Sequence, residues 1–103
     1  MIARLWHGRT PAAKADEYLE YVKQTGVAGQ RRSPGNMASL VLRRTEGEEA
    51  HFWVLSIWKS MDAVRAFAGA TPEVAVYYPR DDEYLLEREP HVEHYEFAAG
   101  EWT

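Results

Sequence analysis

Residues 50–69, AHFWVLSIWKSMDAVRAFAG, constrain the fold more than any other stretch of this chain. The run up to Trp58 is rich in β-branched and aromatic types and holds neither Gly nor Pro. That composition suits a pleated, largely buried strand. Lys59-Ser60 interrupts it, and the Ser60 hydroxyl can cap a following helix. Met61, Val64, Phe67 and Ala68 then recur at helical spacing, and Gly69 supplies the left-handed residue that ends such a helix. One core strand feeds one short amphipathic helix.

The chain before this stretch offers a matching unit. Ala3, Leu5 and His7 share one face of a first strand over residues 2–9, while Ile2, Arg4 and Trp6 share the other. Thr10-Pro11 supplies an N-cap and a proline at the first helical position. Ala12, Ala15, Leu19 and Val22 form an apolar stripe with Tyr18 beside it, and Gly26 closes that helix. Residues 27–36, VAGQRRSPGN, read as a loop ending in a Pro34-Gly35-Asn36 turn. Arg31-Arg32 within it are solvated charges or an anion contact. Residues 37–45 form a second strand, joined to the third by the acidic turn of residues 46–49 as an antiparallel hairpin.

After Gly69, Thr71-Pro72 resembles another helix start, with about one turn carrying Tyr77 and Tyr78 before Pro79. Residues 80–83, RDDE, read as a solvated charge run, and Tyr84-Leu85-Leu86 as a short apolar element of open type. Residues 91–97 alternate as a fourth strand. Trp102, in the tail, needs a place to bury, which a neighbouring subunit could offer.

The order β-α-β-β-α-β predicts an α+β, ferredoxin-like domain spanning residues 1–103. Such a unit has a four-stranded antiparallel sheet with both helices on one face. The third strand is apolar on both sides, Trp53, Leu55 and Ile57 opposing Phe52, Val54 and Trp58. One tryptophan should therefore face the helices and the other a subunit contact. A monomer would leave a large apolar face wet, so a homodimer joined through its sheet faces is expected. Aromatic residues make up 13% of the chain, which suits a flat ligand pocket, an aromatic interface or a bulky core.

Residues 54–67, VLSIWKSMDAVRAF, resemble the third strand and second helix of the antibiotic biosynthesis monooxygenase superfamily of dimeric α+β barrels. HVEHYE of residues 91–96 is similar to that superfamily's last strand. The resemblance covers nearly the whole chain and rests on structural motifs. It implies a pocket between sheet and helices in a dimer of ferredoxin-like subunits. Members include cofactor-independent oxygenases of aromatic polyketides, heme-degrading oxygenases and small proteins with no established activity. The heme-degrading branch places an Asn on strand one, a Trp on the second helix and a His just beyond it. This chain has His7, Phe67 and Tyr77 at about those places, so the resemblance disfavours heme degradation. For the polyketide branch, Asn36, Trp58 and one of Arg43 and Arg44 are approximate counterparts.

Other classes fall away on composition. The net charge is −4 with no basic stripe, so nucleic acid is not an expected partner. Absence of Cys excludes disulfides, zinc knuckles, iron–sulfur clusters and a thiolate nucleophile. No signal-peptide core and no apolar run of membrane-spanning length is present, so a cytoplasmic protein with no membrane partner is expected. No phosphate-loop, dinucleotide or zinc-protease motif occurs, and no cofactor is expected. His91 and His94 point to opposite faces of a strand, which argues against a metal pair.

Two functions follow. The first is a cofactor-independent monooxygenase-like oxidoreductase acting on a hydrophobic aromatic small molecule. His7, if its strand face meets the helices, would be the general base, and the Tyr77 phenol would hydrogen-bond a substrate carbonyl. Asn36, Trp58, Phe67, Tyr78 and His94 would bind substrate, His94 joining His7 if strands one and four are neighbours of matching parity. The second is a non-catalytic dimeric barrel that holds an apolar ligand or serves in stress. A pocket packed solid by Phe67, Trp58 and Tyr77 would favour the second; a deep cavity with His7 at its floor would favour the first.

Overall fold

The computed structural model describes residues 1–101; the tail residue Trp102 and its expected burial lie outside them. Strands β1 (Ile2–Pro11), β2 (Asn36–Glu46), β3 (Glu49–Trp58) and β4 (Glu93–Glu96) form one sheet in the order β2-β3-β1-β4. Every neighbouring pair is antiparallel, as the ferredoxin-like order requires. Helices α1 (Ala15–Val22), α2 (Ala28–Arg32) and α3 (Met61–Ala68) complete the α+β unit.

Register decides which side chains meet the helices. Arg4 lies opposite Ser56 on one side and His94 on the other, and Trp6 lies opposite Val54. Directly opposed residues share a face. The inner, helix-side face therefore carries Arg4, Trp6, Thr10, Phe52, Val54, Ser56, Trp58 and His94. Ala3, Leu5, His7, His51, Trp53 and Leu55 fall on the outer face. The two strand tryptophans divide as their parity requires, Trp58 fully buried inside and Trp53 outside. Phe52, Trp58 and Val64 are fully buried, each contributing about 1.5–3 kcal/mol. Tyr18, Val22, Phe52 and Val54 pack with Tyr84 and Leu85 in the main core.

Gly8 shapes the inner face. The Trp6 indole folds back over it, so a Cβ at residue 8 would lie 2.4 Å from the ring. Any side chain there would push the indole out of place. At α3, the Ser60 hydroxyl accepts from the Ala63 N–H at 3.1 Å, the cap anticipated from sequence. Gly69 closes the helix at φ 95°, with its N–H on the Arg65 carbonyl.

Three segments depart from the sequence expectation. Pro11 ends β1 rather than opening a helix, and a short 3₁₀ turn, Ala12–Lys14, precedes α1. Gly26 does not stop the helix. The chain passes through a wide π turn, Lys23–Val27, into α2, so most of the expected loop is helical. The Thr25 hydroxyl donates to the Tyr21 carbonyl at 2.8 Å there, the kind of insertion that widens a helix. Residues 73–78 form no helix; Val74 instead bridges His91, and the expected fourth strand shortens to Glu93–Glu96.

The outer face is mixed, a polar row of Arg9, His51 and Arg44 beside an apolar region. Leu40, Leu42 and Tyr95 are each about half exposed on it. Among the described residues, no helix is long and apolar enough to cross a membrane.

Candidate functional site

A part-open cavity of about 40 Å³ lies between the inner sheet face and the helices. That volume holds a few water molecules. Trp6, Tyr18, Phe67 and Tyr78 give it an aromatic wall, and Arg4, Thr25, Gln30 and Asp81 give it polar groups. The wide turn between α1 and α2 brings Thr25 and Gly26 to the wall.

Arg4 is 3% exposed. Its Nη1 donates to the Pro72 carbonyl at 2.5 Å and to His94 Nε2 at 3.0 Å, and Nη2 reaches the Val74 carbonyl at 3.5 Å. A guanidinium only donates, so His94 Nε2 is the acceptor and its proton sits on Nδ1. The Phe67 ring lies 5.8 Å from the guanidinium carbon. No described carboxylate pairs with this charge. Burial lowers the Arg4 pKa to about 10. Burial, then the Arg4 charge, lowers that of His94. An Arg withdrawn from water without an anion is costly, by roughly several kcal/mol.

Asp81, expected in a solvated charge run, is 4% exposed. Its Oδ2 accepts the Tyr78 N–H at 2.7 Å. Burial raises its pKa above the ordinary carboxylate value, with the Tyr78 N–H opposing that shift. Gln30 Oε1 accepts from the Ser39 hydroxyl at 2.7 Å. Neither the Gln30 amide nitrogen nor the Tyr78 hydroxyl has a hydrogen-bond partner among the described residues. No buried side-chain polar atom among them is left unpaired, so both groups open to the cavity or its mouth.

Of the residues singled out from sequence, Phe67 and Tyr78 line this cavity. Trp58 packs behind Phe67, ring centroids 5.5 Å apart, with its indole nitrogen donating to Ser56. His94 touches the site through Arg4. Tyr77 lies to one side, accepting from Trp6 Nε1 and donating to the Glu89 carbonyl. Asn36 is tied to Arg31, Ala38 and Ser39 at the start of β2.

His7 needs a correction of place. Its strand face is the outer one, so the imidazole points away from the cavity and cannot join His94 on the inner face. There Nδ1 meets Glu89 at 2.7 Å and Nε2 meets His51 Nδ1 at 2.9 Å. His51, expected in solvent, is partly buried in this stack beside Trp53. Sequence reasoning passed over Arg4, Gln30 and Asp81. A lone Arg between Ile2 and Trp6 on one strand face was the available signal for Arg4.

The sequence profile of the family described as antibiotic biosynthesis monooxygenase matches residues 1–79. The chain belongs to this family. Antibiotic biosynthesis monooxygenase proteins are typically dimers. No curated protein matches the chain. A candidate antibiotic biosynthesis monooxygenase from Nitrosomonas europaea is similar in fold, with 16% identity and TM-score 0.67 over 96% of this chain and 100% of its own. A second such candidate, from Bacillus cereus, has 12% identity and TM-score 0.67 over 99% and 97%. The heme-degrader MhuD from Mycobacterium tuberculosis, solved with two hemes in its active site, has 21% identity and TM-score 0.61 over 99% and 100%. These likenesses show the fold.

A histidine-ligated heme does not fit the residues here. No histidine lines the cavity. His7 faces the other side of the sheet, and Phe67 offers no ligand atom.

Proposed function

We propose that this protein is a homodimer, joined through the outer sheet faces, that widens its inner cavity from about 40 Å³ around a small aromatic molecule and oxidises that molecule with molecular oxygen. The observation that carries this reading is a buried carboxyl in an aromatic cavity. Asp81 sits beside Tyr78 with Oδ1 unbonded among the described residues and its pKa raised by burial. A carboxyl whose pKa burial raises is a stronger base than one in water and suits proton abstraction. Asp81 takes the hydroxyl proton of a phenol, and the electron-rich phenolate reacts at a ring C–H carbon with oxygen. Loss of water leaves a quinone. A phenol plus one oxygen molecule gives one quinone plus one water, the ring supplying the electrons, so no further reductant enters.

His7, His51 and Trp53 then belong to the subunit contact rather than to catalysis. The half-exposed Leu40, Leu42 and Tyr95 on the same face support that placement.

Oxygen uptake with 1-naphthol tests the reaction. Uptake above a protein-free blank is expected, falling at least about a hundredfold in Asp81→Asn, the usual scale of a general base. Uptake at the blank level with naphthol still bound would leave the second reading, a barrel that holds a ligand without changing it.

A further inference from the structure

We infer that the cavity recognises its ligand through an anionic oxygen, a carboxylate or an ionised phenol or enol, held by Arg4 with Gln30 and Tyr78 beside it. The inference deepens the proposed function and rests on its reading of the cavity as a small-molecule site.

Arg4 carries the argument. Its guanidinium is 3% exposed and lines the cavity. Its three hydrogen-bond partners are two carbonyls and the His94 imidazole, which accepts through Nε2. Burial and the Arg4 charge both hold that imidazole toward its neutral form. Buried charges are ordinarily paired, yet no described carboxylate pairs with this one. The protein as a whole carries −4, so a lone buried cation is not the residue of a generally basic chain.

The neighbouring polar groups point the same way. Gln30 Oε1 is occupied by Ser39, which leaves the amide N–H groups for the cavity. The Tyr78 hydroxyl is without a protein partner among the described residues and can donate. Arg4, Gln30 and Tyr78 thus line one small space, and a cavity lined by donors selects a ligand rich in acceptors. Asp81 is the acid in the same cavity and forms no ion pair with Arg4. Proton transfer from a phenol to Asp81 leaves the negative charge on the ligand, where Arg4 can hold it.

Benzoate and benzyl alcohol are matched probes, alike in ring and size and different in charge. Titration calorimetry on the full chain should show benzoate binding at least about tenfold more tightly than benzyl alcohol. Arg4→Met, which keeps the stem and removes the charge, should weaken benzoate at least about tenfold and change benzyl alcohol by less than about twofold. Arg4→Lys, retaining charge without the planar fork, should fall between. Equal affinity of the wild type for both probes overturns the inference, as does a folded Arg4→Met variant that keeps wild-type benzoate affinity. If Arg4→Met does not fold, the wild-type preference alone decides. Oxygen does not enter this experiment. Benzoate bound through Arg4 by a protein that consumes no oxygen upholds the inference and refutes the oxidation; oxygen uptake with charge-blind binding does the reverse.

Discussion

Arg4 and His94 are the pair on which the inner face turns. Each is opposite the other across β1 and β4, and the hydrogen bond between them requires a neutral acceptor on His94. Burial and the Arg4 charge lower the His94 pKa, with Glu73 opposing. The unfolded chain therefore takes up a proton on His94 at higher pH than the folded protein does. The stability this neutral ring contributes is complete above its ordinary value of 6.5 and declines as pH falls below that. Thermal melts should show Tm dropping between about pH 7.5 and about pH 5, with a smaller drop in His94→Gln, whose amide oxygen still accepts from Arg4. An equal drop in both proteins would show that His94 contributes nothing to the acid response.

At the scale of the element, the sheet presents two unlike faces. The inner face is closed by α1, α3 and the segment around Tyr84 and Leu85, while β2 carries Leu40 and Leu42 half exposed on the outer side. Opposite Leu42 lies Trp53, and opposite Trp53 lies His7, an apolar and aromatic row running across three strands. A second copy laid on that row buries it, the solution that a strand apolar on both sides demands. Leu42→Glu would place two like charges across the two-fold contact. Sedimentation at micromolar concentration should show wild-type dimer and a folded Leu42→Glu monomer, a weakening of at least about a hundredfold. A variant that remains as dimeric as the wild type would move the contact elsewhere.

Across the molecule, the residues that alternate or recur on a period were legible from sequence: β2, β3, α3 with its Ser60 cap, and the division of Trp53 from Trp58. The parity of β1 was legible too, but not which side met the helices, because Ile2 and Trp6 are as apolar as Ala3 and Leu5. That choice placed His7 outside and Arg4 inside. Gly26 and Gly29 read as breakers, yet the π turn carries the helix past them and brings Gln30 to the cavity. Asp81 was hidden within a run of charge, since burial there depends on Tyr84 and Leu85 anchoring the segment to a core that sequence spacing does not reveal. The family resemblance supplied the scaffold, and the polar lining of the cavity came from the three-dimensional register.

In the proposed function the ligand lies on the inner face and the partner subunit on the outer one. Trp6 and Trp53 report these two faces separately, Trp6 lining the cavity with its indole N–H on Tyr77 and Trp53 stacked with His7 and His51 outside. Titrating 1-naphthol into protein carrying ¹⁵N-labelled tryptophan, and following the Trp6 and Trp53 signals among the four indole N–H signals, tests that division directly. The Trp6 signal should shift and saturate while that of Trp53 stays in place. A saturating shift of Trp53 with Trp6 unmoved would put the ligand on the outer side of the sheet and overturn the proposed function.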